Sequence, residues 1–172
     1  MSEAVPEPPT AATNLALREP AHQVSTKAPV VWAVGAAIRS LVLLAVLIAA
    51  AWFDWFPVPF WAWPVYAVLS IAYVIAMPRV RYKIHRWEST DTAVYTQTGW
   101  LSRERRIAPM SRVQTVDYEQ GAIGRFLGLA TVTVTTASAA GPLRIADIDK
   151  AVADRLVEDL TRRTEAEAGD AT

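Results

Sequence analysis

The run VVWAVGAAIRSLVLLAVLIAAAWF, residues 30–53, is followed after four residues by VPFWAWPVYAVLSIAYVIAM, residues 58–77. Between Val30 and Met77 the only charged side chains are Arg39 and Asp54. A helix rises about 1.5 Å per residue, so roughly 20 apolar residues cross the ~30 Å hydrocarbon layer of a bilayer. The two runs have 24 and 20 residues, each enough to span. Asp54, Trp55, Phe56 and Pro57 leave room only for a tight turn, which predicts an antiparallel transmembrane hairpin over 29–78.

The flanks of the hairpin orient it. Trp32, Trp52, Trp55, Trp61 and Trp63 lie near the expected span ends, where indoles favour the headgroup layer. Arg79, Arg81, Lys83 and Arg86 follow the second span, while the turn holds no basic residue, so the positive-inside rule puts the turn outside and both termini in the cytoplasm. Arg39 falls within a turn or two of the cytoplasmic face, where its stem can snorkel. Pro64 reads as a first-turn proline. Residues 1–28, rich in Ala, Pro, Glu and Thr, predict a flexible tail; the acidic, Pro-rich first ten are unlike a signal peptide.

Beyond Met77 the composition changes, with 14 Lys/Arg and 13 Asp/Glu over residues 78–172. Alternation with period two at Tyr82, Ile84, Val94 and Thr96 predicts strands over 80–88, 92–98, 100–107, 112–119, 129–137 and 141–146. Asp147 or Asp149 can cap a helix in which Ile148, Val152, Leu156 and Leu160 share a face. The expectation is an α+β domain over 79–164, an antiparallel curled sheet of about six or seven strands closed by a C-terminal helix, and a short tail over 165–172.

The stretch RVQTVDYEQGAIGRFLGLATVTV, residues 112–134, carries Arg112, Gln114, Gly121, Gly124, Phe126, Leu127 and Gly128. Gly121 and Gly124 are read as turn residues, Phe126 and Leu127 as apolar residues that can plug the end of the sheet, and Gly128 as a left-handed helix stop. The glycine spacing lacks the Lys-Ser/Thr of a phosphate loop. Together with the preceding spans, this stretch resembles the bacterial pleckstrin-homology-like, membrane-flanked family of YdbS-like proteins over about residues 30–164. The resemblance implies a pleckstrin-homology-like (PH-like) fold and no enzymatic activity.

Catalytic candidates are few. His22 and His85 are isolated, Ser89, Ser102 and Ser111 lack a nucleophile context, and Asp117 and Glu119 share what reads as a solvated strand face. With no cysteine, neither thiolate chemistry nor a disulfide arises. No metal or cofactor is expected. Residues 79–125 carry nine Lys/Arg against five Asp/Glu, and Arg79, Arg81, Lys83, Arg86, Arg103, Arg105 and Arg106 form a candidate anionic-lipid surface. Trp100 is expected inside the sheet, leaving no aromatic platform for nucleic acid. The leading expectation is a non-catalytic interaction or scaffold module at the inner membrane, binding a protein partner or a second copy. Small residues such as Gly35, Ala36, Ala45 and Ala49 allow close helix approach. The alternatives are a sensor of anionic headgroups and an accessory subunit of a transport or resistance system, for which Arg39 alone offers a polar start within the spans.

Overall fold

The computed structural model describes residues 19–55, 57–138 and 141–170. A two-residue strand β1 (His22–Gln23) precedes the membrane-length helices α1 (Ala28–Trp52) and α2 (Ala62–Ile84). Then come β2 (Arg86–Ser89), β3 (Ala93–Gly99), β4 (Arg103–Pro109), β5 (Val113–Glu119), the short helix α3 (Ala122–Leu127), β6 (Leu129–Thr136), β7 (Leu143–Asp149) and α4 (Lys150–Asp170). The strands form two antiparallel sheets, ordered β1-β2-β3-β4 and β5-β6-β7.

Away from the domain, α1 and α2 present apolar side chains outward: Leu41 is 64% and Val68 66% exposed. A soluble core helix would hide such residues; a lipid-facing one displays them. The connection between the helices is longer than a tight turn, running from Phe53 to Trp61 with Phe56 outside the described residues. Asp54 closes α1 in the left-handed region at φ 50°. Pro57 and Pro59 lack backbone donors, and α2 begins only at Ala62. Pro64 then lies in the first turn, as its position in the sequence suggests.

The first predicted strand begins too early. Residues 79–84 continue α2, and the His85 N–H still bonds the Arg81 carbonyl at 2.9 Å. The alternation of Tyr82 and Ile84 misled because the helical pairs Met77/Arg81 and Val80/Ile84 fit the same letters, and no glycine interrupts them. Arg79, Arg81 and Lys83 are therefore helical residues. The third expected strand starts at Arg103, because Gly99 (φ 128°) opens a turn through Trp100 and Leu101. A Cβ at Gly99 would sit 1.8 Å from the Ser102 carbonyl oxygen, so only glycine fits there.

One apolar core serves hairpin and domain alike. Ala28, Trp32 and Ala36 of α1 and Met77 of α2 cluster with Trp87, Val94, Val132, Val134, Ile145 and Leu160. On α4 the buried stripe is Ala153, Leu156 and Leu160, shifted from the expected one, since Ile148 belongs to β7 and Val152 stays 36% exposed. Residues 19–27, expected in the tail, meet the domain: Val24 is buried, and the His22 ring lies tilted against Trp87 with centroids 5.1 Å apart. Residues 1–18, the rest of that expected tail, lie outside the described residues.

Candidate functional site

The polar groups of the chain converge where the hairpin enters the domain. At a bulge in β7 opposite Thr131, Asp147 takes a left-handed conformation (φ 56°), tolerable for Asp because its short side chain can bond locally. Its carboxylate accepts the Trp32 indole N–H at 2.6 Å, and its carbonyl accepts the Ser25 N–H at 3.1 Å. Two residues on, Asp149 accepts the Ser25 hydroxyl at 2.8 Å. The two aspartates read as helix caps thus grip the segment that leads into α1. Lys27 adds a bond from Nζ to the Leu127 carbonyl at 3.1 Å.

The second span is held by a parallel set. The Arg81 guanidinium lies 4.4 Å over the Trp32 ring, a cation–π geometry. Its Nε–H donates to His85 Nε2 at 3.2 Å, and His85 Nδ1 lies 2.9 Å from the Arg81 carbonyl. These contacts assign a neutral imidazole protonated on Nδ1. Burial and the Arg81 charge push the His85 pKa down to about 4, so the ring stays neutral near pH 7. Gln97, 1% exposed, donates to the Ile84 carbonyl at 3.0 Å and accepts from Arg105 at 2.8 Å. The end of α2 is thereby tied to β3 and β4.

The seven basic residues singled out in the sequence are not gathered into one patch. Arg86 and Arg103 meet at Glu19, each 3.6 Å from its carboxylate. Arg105 serves the joint. Arg106 sits on the opposite face of β4, pairs with Glu104 at 2.6 Å and donates to the Pro142 carbonyl at 3.3 Å. Arg79 and Lys83 are exposed, and Arg79 donates to the Ile75 carbonyl at 2.7 Å.

The family stretch resolves into distinct roles. Arg112 and Gln114 are exposed, and Gln114 is the extra residue of a bulge between β5 and β6. Gly121 has φ −65° and is not a left-handed turn residue. Gly124 is buried within α3, where a Cβ would lie 3.3 Å from the Leu129 carbonyl oxygen; it is there for close approach. Gly128 does stop α3 in the left-handed region, at φ 71°. Phe126 does not plug the sheet: it is 90% exposed, while Leu129 fills the core. Trp100 lies edge-on against Tyr73 of α2 at 5.8 Å instead of inside the sheet.

Sequence reading passes over Glu19 and Ser25 and gives Trp32 and Asp147 other roles, a belt indole and a helix cap. The residues around Ser25 sit in a composition that looked unstructured, and Trp32 was assigned to a headgroup belt, whereas it is buried against the domain. The informative signal was the pair Asp147 and Asp149 around a buried Ile148, one more acid than a helix cap requires.

Two lipid-facing helices sharing their core with a pair of antiparallel sheets and a terminal helix define a membrane protein with a PH-like domain. The chain belongs to the bacterial PH domain family, whose model matches residues 24–164. It is 33% identical over 152 residues to the transmembrane protein YdbS of Bacillus subtilis (strain 168), covering 84% of this chain and 92% of that protein. No solved structure matches it. The matched span starts at residue 24, just after β1, so the family unit takes in the segment around Ser25 and the whole hairpin.

Proposed function

We propose that the chain is a non-catalytic, membrane-anchored interaction module. The hairpin holds the PH-like domain at the inner face of a bacterial membrane, with both termini cytoplasmic, and the outer surface of the domain binds a protein partner or a second copy. The observation that supports this best is the joint itself. Trp32, Arg81, His85, Asp147, Ser25 and Asp149 are bonded to one another and to backbone, an arrangement that fixes orientation. A domain held in one orientation at the bilayer meets partners at raised effective concentration, so modest contacts suffice.

Photo-crosslinking in native membranes tests the reading. A photoreactive residue is placed in the full-length chain at Phe126 or Ile107, both exposed on the domain, with buried Val132 as control. A discrete adduct to one protein, or to a second copy, at the exposed positions only is the expected result. Absence of any adduct at both positions would sink the module reading.

A further inference from the structure

A cleft of about 260 Å³ opens where the hairpin leaves the domain. Its walls include Arg39 of α1, Tyr73 and Arg81 of α2, His85, and Thr98 and Trp100 at the end of β3. Two guanidiniums and no carboxylate line it. Arg39 has no hydrogen bond or ion pair among the described residues, and it lies near enough to Arg81 for the like charges to interact. Asp147 offsets part of the Arg81 charge but already accepts from Trp32. His85 occupies the Arg81 Nε–H, leaving the terminal nitrogens of that fork without a protein acceptor among the described residues.

The level of the cleft follows from the core. Ala36, three residues before Arg39, and Met77, four before Arg81, belong to the domain core. One turn farther into the bilayer than Arg39, Leu43 is 51% exposed, and Leu69, one turn beyond Tyr73, is 64% exposed. Trp100 and Tyr73 close the cleft at the depth where aromatic rings and long basic side chains favour the headgroup layer.

We propose that this cleft binds the phosphate of an anionic phospholipid of the inner leaflet. Arg39 and Arg81 are the anion ligands, Thr98 supplies a hydroxyl, and the acyl chains run down the apolar flank beside Leu43 and Leu69. Two planar guanidiniums suit the oxygens of a phosphate better than point charges would. A soluble phosphate compound shares this chemistry; the apolar flank one turn beneath Arg39 and Tyr73 favours the lipid. The site is separate from the module reading, and its failure leaves the crosslinking result untouched.

The test uses the full-length chain in detergent with phosphatidylglycerol and phosphatidylcholine of matched acyl chains, native mass spectrometry counting the retained lipid. Wild type is expected to retain phosphatidylglycerol in preference, with no displacement by millimolar inorganic phosphate. Arg39→Gln, at an exposed side chain that bonds nothing in the fold, is expected to weaken retention about tenfold, the factor that one charge-assisted hydrogen bond typically represents. Arg39→Lys recovers part of it, and Arg79→Gln, outside the cleft, leaves it unchanged. Equal retention of both lipids, an unaffected Arg39→Gln, or an equal loss in Arg79→Gln would overturn the site. Displacement by inorganic phosphate would overturn the lipid as its occupant.

Discussion

Trp32 has two roles that one substitution can separate. Its N–H bonds the Asp147 carboxylate at 2.6 Å, and its ring face carries Arg81. Trp32→Phe keeps a ring and removes the donor, which should cost about 1.5–3 kcal/mol, the range for a hydrogen bond to a charged group. Chemical denaturation of the full chain in detergent measures this; an unchanged midpoint would refute the role given to Asp147. His85 gives the joint a pH dependence. Because its pKa falls from 6.5 unfolded to about 4 folded, the unfolded chain binds the extra proton between those values. Stability is therefore present above about pH 6.5 and declines as pH falls toward 4, and His85→Gln should flatten that part of a melting-temperature profile. At Gly99, a Cβ would collide with the Ser102 carbonyl at a left-handed φ, so Gly99→Ala should lower stability by about 1–3 kcal/mol and move Trp100 off Tyr73, readable in indole fluorescence.

At the scale of elements, α3 departs furthest from its appearance in sequence. Phe126 looks like a core residue because it is apolar and flanked by glycines, yet the core position is Leu129, immediately after the left-handed Gly128. Phe126→Ser should leave stability within about 0.5 kcal/mol, as for other surface changes, whereas Leu129→Ala should cost about 2–5 kcal/mol. Denaturant melts of the two variants decide the assignment. The spans, the strands expected at 92–98, 112–119 and 129–137 and the terminal helix were legible because hydropathy over twenty residues and period-two alternation are local signals. The end of α2 was not, since six residues from Arg79 to Ile84 satisfy both periods and only packing against β3 selects the helix. The joint was hidden for another reason. Its partners, Trp32 and Asp147, stand 115 residues apart, and pattern reading along the chain does not see across that distance.

For the whole molecule, a chain without cysteine makes membrane orientation directly measurable. A single cysteine at Asp54, exposed between the spans, should react with an impermeant maleimide added to intact cells, while one at Ala137 should react only after the membrane is opened. The reverse pattern would overturn the cytoplasmic placement of the domain. The shared core also bears on dissection: a fragment of residues 79–172 lacks Val24, Ala28, Trp32, Ala36 and Met77, so it should bind hydrophobic dyes and show poor dispersion of its amide resonances. A cooperatively melting fragment would contradict the single core. The placement of β1 before the hairpin also orders the events of biosynthesis. The ribosome makes Ser25 and Trp32 first and Asp147 and Asp149 last, and between them the chain must cross the bilayer and come back. The domain closes around its own opening segment only after both apolar helices and the strands beyond them have been made, so this joint is among the last contacts the growing chain can form.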